Sequence, residues 1–492
     1  MDPSPTVTNV AHMPKDMAPG IVRRLRAILS EPVSPLSLAV FRIALGAALV
    51  WDCWRFIRHD RIERYWIEPD FFFTYPGFHW VAPLPEPWIW IAWLGMGFFA
   101  LLVMLGLFYR VSIVALTVLF GYFFLLDKTE YLNHFYLVIL FLILLCFMPA
   151  HRALSLDARL FPRVRGESVP YATVATLRLQ MEIMLIHAGL VKLTPDWLAG
   201  EPLGMWLRPQ ADDFVFGFLF HSDWVILAGT WGTVALHVLG APLLLWRRTR
   251  LATFLVYCAF HLANAAFFNI GIFPWLTIAA TTIFFAPDWP RRLARRIPSL
   301  FETLPEPPSD AARAPAGAGV ALVPVAALVG IAAWTAAQVV LPIRAAAFPT
   351  EVRWSGDGHR FSWRMRLYDR DAEGVFLVRA GGETWEVDPR TYLSHRQTWK
   401  MMVRSDMIHQ FAHHLEEVWR AKGHDEVEVH ADIMKSLNGR PMQRFIDPAA
   451  DLTAVPLGYL RSDPWVLGNR IPVWGVADNA GAPRDPLILV RP

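Results

Sequence analysis

Charge is scarce in this chain. Only 18% of its 492 residues are Asp, Glu, Lys or Arg, against roughly 25% in an ordinary soluble protein. The net charge of +3 is small for the length, which argues against the basic surface that a nucleic-acid binder needs. Cysteine is scarce too. Cys53, Cys146 and Cys258 are the only three, all in apolar stretches, so no disulfide framework is expected in the polar C-terminal third. The first 30 residues are polar and Pro-rich with no apolar h-region, so no cleavable signal peptide is expected. No internal repeat is visible, which disfavours a secondary transporter built on inverted repeats.

What the chain has instead is apolar mass: 54% hydrophobic and 13% aromatic residues, with a mean hydropathy of +0.33. These residues cluster in runs at about 35–57, 87–108, 110–126, 132–149, 172–192, 224–246, 250–268, 270–286 and 318–342. The expected fold is a polytopic α-helical membrane domain of about nine spans, followed by a small β-rich α+β extramembrane domain. The seventh and eighth runs are nearly continuous, so eight spans is an alternative. Their junction, Asn269-Ile270-Gly271-Ile272-Phe273-Pro274, reads as a break because Pro removes a helix donor and Gly loosens the backbone. The division follows as 1–34, a cytoplasmic N-terminal segment; 35–342, the membrane domain; and 343–492, the extramembrane domain.

Arginine placement orients the spans. Arg23, Arg24 and Arg26 precede the first; Arg152, Arg159, Arg163 and Arg165 follow the fourth; Arg247, Arg248 and Arg250 follow the sixth; Arg291, Arg292, Arg295 and Arg296 follow the eighth. With nine spans all four clusters share one side, which the positive-inside rule makes cytoplasmic. The N-terminus is then cytoplasmic and the C-terminal domain extracytoplasmic. Segment 298–317 reads as a cytoplasmic loop. The high Ala, Arg and Pro content has a bacterial look, which suggests an inner membrane.

This topology gathers three polar interruptions on the outer face. One is the turn Asp127-Lys128-Thr129-Glu130-Tyr131-Leu132-Asn133-His134; another is Lys192, at the end of the fifth run; the third is the Asn264–Phe273 break. A polar cluster at one membrane depth is expected of a site. A low-dielectric setting favours a neutral amine at Lys192, able to act as a base on a lipid-soluble substrate. The plainer reading is a lysine that snorkels its ammonium to the headgroups. His261 and Asn264 lie about one helical turn apart on one face. They suit either a pocket lining or an interhelical hydrogen bond. Arg42, Arg178 and Gln180 read as bonded within the bundle.

Beyond residue 343 the pattern changes. Phe361 to Leu367 alternates as a half-buried strand does, and 375–378 and 384–387 read as further strands. Ser405 is placed to cap a helix running to about Lys422. Residues 426–434 and 442–446 flank Asn438-Gly439, a strong hairpin signal. His409 and His413 have zinc-ligand spacing, but Gln410 stands where a zinc protease needs Glu, and no third ligand is visible nearby, so no metal site is expected.

Several of these motifs resemble the vitamin K-dependent gamma-glutamyl carboxylase family. They are Tyr109-Arg110-Val111-Ser112; Leu126-Asp127-Lys128-Thr129 with Asn133-His134 and Tyr136-Leu137; Leu177-Arg178-Leu179-Gln180; Ala188-Gly189 through Lys192-Leu193 to Asp196-Trp197; and Phe260-His261-Leu262 with Asn264, Ile270-Gly271 and Phe273. The likeness runs in order over about 35–296 and is looser beyond. It implies that Lys192, as a free amine, deprotonates vitamin K hydroquinone. Dioxygen then turns the quinol anion into a strong base that removes a glutamate γ-proton, and the carbanion captures carbon dioxide while the quinone leaves as its epoxide. His134 matches the histidine of the carboxylation half. Asn133, His261, Asn264 and Gly271 are the candidate quinol-binding residues. The family signature has two adjacent lysines, and here Val191 replaces the first. The implied partners are membrane lipid, a quinol (vitamin K hydroquinone or menaquinol) and a Glu-containing peptide, with no nucleic acid. A quinol epoxidase without peptide carboxylation and a non-enzymatic membrane protein are the alternatives.

Overall fold

A computed structural model describes residues 18–295, 322–348, 351–456 and 463–470; segment 298–317 lies outside the described residues. The nine apolar runs fold as α1 (Leu36–Arg58), α2 (Trp88–Leu105), α3 (Tyr109–Leu126), α4 (Asn133–Cys146), α5 (Tyr171–Leu190), α6 (Asp223–Ala235), α7 (Arg250–Phe267), α8 (Phe273–Thr281) and α9 (Val325–Ile343). Six of these, α6 being counted through to Leu245 and α9 to Ala347, are long and apolar enough to cross a membrane.

The other three runs fall short of the nine-span expectation for physical reasons. The 14 residues of α4 reach only about 21 Å at 1.5 Å per residue, less than a hydrocarbon core of about 30 Å. The α5 helix carries Arg178, Gln180, Glu182 and His187 along its length. The α8 helix ends after nine residues and gives way to a 3-10 turn at Thr282–Phe284. The break expected between the seventh and eighth runs is present: α7 stops at Phe267, Gly271 takes φ +61° and Pro274 sits in the first turn of α8.

Buried polar groups bind the bundle. Arg42, fully buried in α1, donates to the carbonyls of Val103, Met104, Ala150 and Leu154. A Cβ on Gly106 (φ +65°) would lie 2.7 Å from that guanidinium, so the glycine that ends α2 also makes room for it. Asp157 accepts from the backbone N–H groups of Phe108 and Tyr109 at the start of α3, the favourable place for a carboxylate. Arg178 donates to the Ile283 and Phe285 carbonyls, and Gln180 accepts from Trp334 Nε1. All three residues act within the bundle, as the sequence suggests.

The C-terminal part holds an antiparallel sheet of order β2-β1-β3-β4, made of β1 (Arg370–Ala380), β2 (Glu383–Val387), β3 (Val427–Leu437) and β4 (Gln443–Arg444). Helix α10 (Ser405–Ala421) packs on it, with the Phe411 ring edge-on to Phe376 at 5.0 Å. The hairpin turn is built as expected, Asn438 and Gly439 taking φ +51° and +75°. Two local expectations fail. Ser405 does not cap α10; its hydroxyl donates to Asp357, and Arg404 holds the cap position. Residues 361–367 form no strand. Phe361, Trp363 and Arg366 take φ +61°, +54° and +47°, which folds the segment into a tight strap. Its apolar residues serve the helix bundle instead of a sheet face: Trp363 is 0% exposed with its ring 4.8 Å from Tyr136 of α4, while the polar Ser362 beside it is 0% exposed as well.

Candidate active site

The strap gathers the site. The carbonyl of Arg364 accepts from Asn133 Nδ2 at 3.1 Å, and the next carbonyl, of Met365, accepts from Lys192 Nζ at 3.2 Å. Two residues 59 positions apart in the sequence are thereby fixed on consecutive peptide units. Tyr131 braces the arrangement, its hydroxyl donating to Asn133 Oδ1 and accepting from Phe361 N.

Lys192 does not snorkel. It is 5% exposed, and its amine also donates to the Ala188 carbonyl at 3.0 Å and lies 5.2 Å from the Trp197 ring centroid. Among the described residues no carboxylate pairs with it. The neighbouring Lys128 is the contrast: its Nζ lies 2.8 Å from Asp406. Lys128 is a paired cation and Lys192 is an amine without an acid.

Sequence reasoning missed His237. It sits in a one-turn π segment, Leu236–Gly240, that interrupts α6; such bulges recur at functional sites. A Cβ on Gly189 would lie 2.8 Å from His237 Cβ and 2.7 Å from Val238 Cγ2. Gly189 therefore lets this segment close on α5 three residues before Lys192, and the His237 ring lies 5.1 Å from Phe260, the ring that also borders His261 at 5.2 Å. His237 Nδ1 is 2.8 Å from the Thr233 carbonyl, an arrangement that places the proton on Nδ1 and leaves Nε2 as the basic nitrogen. Nothing local to His237 in the sequence signals this. The only pointer is the small residue at Gly189.

His134 and His261 flank one ring: the Phe273 centroid is 5.9 Å from His134 and 5.8 Å from His261. His261 is 1% exposed, and neither ring nitrogen has a hydrogen-bond partner among the described residues. His134 is the second residue of α4, whose cap position is held by Leu132. Asn264 turns its amide back to the Phe260 carbonyl of its own helix. Gly271 approaches Arg55, which a Cβ would meet at 2.9 Å.

Asp196 joins the site to the C-terminal part. It is 1% exposed, accepts from both terminal nitrogens of Arg440 (2.8 and 3.0 Å) and from Asn438 Nδ2 (2.7 Å), and forms an ion pair with Arg353 Nη1 at 2.9 Å. Burial raises this carboxyl, but the hydrogen bond from Arg440, the charge of Arg353 and the hydrogen bond from Asn438 hold it below the ordinary carboxyl range.

A family model for the HTTM domain matches residues 30–289, and a model for the vitamin K-dependent gamma-carboxylase lumenal domain matches residues 324–470. The chain belongs to the vitamin K-dependent gamma-carboxylase family. No solved structure matches it. Membership makes this a membrane protein of the gamma-carboxylase kind with vitamin K as the implied cofactor. The residues present fit a hydroquinone. His261 offers two unpartnered ring nitrogens beside Tyr257, Phe260 and Phe273, an apolar setting with few polar contacts of the kind that holds aromatic ligands. Lys192 offers an amine at the strap.

Proposed function

We propose that this protein is an integral-membrane gamma-glutamyl carboxylase-like enzyme that couples oxidation of vitamin K hydroquinone to its epoxide with carboxylation of peptidyl glutamate. The observation that carries this reading is the Lys192 amine. It is buried, bonded to two carbonyls and without an acid partner. A neutral amine has two N–H bonds and one lone pair, whereas an ammonium has three donors and no lone pair. The Ala188 and Met365 carbonyls take the two N–H bonds and leave the lone pair to accept a quinol proton. When bound, the hydroquinone supplies, on oxidation by dioxygen, a base strong enough to remove a glutamate γ-proton before carbon dioxide adds.

The chain's own residues then have separate tasks. Lys192 takes the first proton at Nζ. His237, its Nδ1 held by the Thr233 carbonyl, is the candidate to take that proton on at Nε2. Asn133 holds the strap over the amine, and the strap with Trp363 excludes water, which protects a carbanion from protonation. His261, Asn264 and Gly271 line the quinol side. His134, against Phe273, serves the carboxylation half as an acid–base group. Menaquinol is the alternative carrier for the same chemistry. The reading includes nine crossings, with α4, α5 and α8 embedded among longer helices, the N-terminus cytoplasmic, and residues 343–492 as an extracytoplasmic domain, in a bacterial inner membrane.

The test uses purified full-length protein in nanodiscs with vitamin K hydroquinone, oxygen, labelled bicarbonate and a Glu-containing peptide. Mass spectrometry follows epoxide and carboxylated peptide together. Both products are expected, and His134→Ala should retain epoxide while losing carboxylation. Epoxide without any carboxylated peptide, across several peptides, would reduce the reading to a quinol epoxidase. No epoxide from folded protein, with either vitamin K hydroquinone or menaquinol, would overturn it.

A further inference from the structure

The helix Ala18–Ser30, which precedes α1, takes no part in the site, and its residues are sorted by chemistry. At about 3.6 residues per turn, Val22, Leu25, Ile28 and Leu29 fall in one arc, and Arg23, Ala27 and Ser30 fall opposite. Arg24 and Arg26 stand at the two borders of the apolar arc. The helix holds three arginines and no carboxylate. Its contacts fix which way each arc faces. Ser30 Oγ accepts from Val323 N at 2.8 Å, and Arg26 Nε donates to the Val323 carbonyl at 2.9 Å. The polar side therefore rests on the chain just before α9. Past the helix, Pro32 and Val33 pair with Pro170 and Val169, and the Glu31 carbonyl accepts from Tyr171 N, which ties the helix to the start of α5 as well. The apolar arc is left open: Val22, Leu25 and Ile28 are 60%, 52% and 48% exposed. One exposed apolar residue is ordinary on a protein surface, but three on one arc of one helix, bordered by arginines, call for a cover.

The place of the helix decides what that cover is. Ser30 lies six positions before Leu36, where α1 begins, and Val323 lies two positions before Val325, where α9 begins. Both α1 and α9 are long and apolar enough to cross a membrane, so the helix stands at the edge of the bilayer where two spans enter it. A helix at that level lays its apolar arc among acyl chains while the arginines on its borders reach up to the headgroups. Arg23 and Arg24 are exposed, and anionic headgroups supply the negative charge that the helix itself lacks.

We infer that the helix Ala18–Ser30 lies in the plane of the membrane surface and binds anionic phospholipid, with Val22, Leu25 and Ile28 entering the acyl region and Arg23 and Arg24 taking headgroup phosphates. The binding needs only that α1 and α9 span the bilayer, and it is independent of the chemistry at Lys192. Only the choice of leaflet, the cytoplasmic one, rests on the topology proposed above.

The test is hydrogen exchange, read by mass spectrometry, on full-length protein in two kinds of nanodisc: phosphatidylcholine alone, and phosphatidylcholine with a third of the lipid replaced by phosphatidylglycerol. An arginine at an anionic surface is worth roughly fivefold in binding, so the amides of residues 22–30 should exchange at least tenfold more slowly in the anionic discs. Raised salt should shrink that difference. Arg23→Gln combined with Arg24→Gln should abolish it, and Leu25→Gln should speed exchange in both lipids. All three residues are exposed, so the variants keep the fold. Equal exchange in the two lipids, or a difference that survives the paired arginine change, would overturn the proposal. Protection that follows protein concentration instead of lipid charge would make a second copy of the chain the cover, and would overturn it too.

Discussion

Replacing Asp196 by Asn should undock the C-terminal domain from the site. The side chain keeps its shape and loses its charge. Its partners are Arg440 through two nitrogens, Arg353 and Asn438, all at 3.0 Å or less. Arg440 is itself buried, so the variant strands a guanidinium in a low-dielectric place. Breaking a buried pair from one side costs about 3–5 kcal/mol. At 1.4 kcal/mol per power of ten, that is a shift of roughly two to three and a half powers of ten in the docking equilibrium. Hydrogen exchange read by mass spectrometry should show it as lost protection over 436–440, and over the strap at 363–366 that depends on docking. Arg353→Lys keeps a charge and should lose much less. Wild-type exchange at both segments in Asp196→Asn would refute the clamp. Because Asp196 is held below its unfolded value, its contribution is present above the unfolded pKa, about 3.9, and is lost as pH falls through the lower folded one.

Three further outcomes follow. Gly189→Ala places a Cβ 2.7 Å from Val238 Cγ2; it should cost about 1–3 kcal/mol by overpacking and lower quinol oxidation in protein that still folds, measured by denaturant titration beside turnover. Trp363→Ala removes a fully buried indole and should cost about 3–5 kcal/mol, with proteolytic cleavage newly appearing in the strap; an unchanged cleavage pattern would count against the strap's role. Burial pushes the Asp127 carboxyl up to about 7, against hydrogen bonds from Thr129 and Gln397. A raised carboxyl contributes fully below its unfolded pKa and loses that contribution as pH rises through the folded one. Asp127→Asn should therefore gain stability relative to wild type between pH 5 and pH 8, and a difference that is flat over that range would refute the assignment.

Much of this molecule is legible in its sequence, for identifiable reasons. Long apolar runs and Gly/Pro breaks act locally, so the helices and the break at Gly271 could be read directly. Asn438-Gly439 marks its hairpin because few other residue pairs tolerate two successive positive φ angles. The strap at 361–367 misleads because Phe361, Trp363 and Met365 pack into the helix bundle, and alternate apolar residues do not say whether a sheet or a bundle receives them. Lys192 and Asn133 stand out as polar residues at apolar ends, yet the carbonyls that join them come from a segment more than 170 positions beyond Lys192. His237 is illegible for the same reason: its place depends on a π segment packing against Gly189. Asp196 is visible as a motif residue, but its three partners lie far along the chain.

The central claim is that Lys192 works as a neutral base, and Lys192→Arg beside Lys192→Ala tests it most directly. Arginine keeps the donors and the charge of an ammonium but cannot be deprotonated in a protein. Quinol epoxidation should be lost in both variants while circular dichroism and size-exclusion profiles match the wild type. Epoxidation that survives in Lys192→Arg would make Lys192 a structural cation and contradict the account.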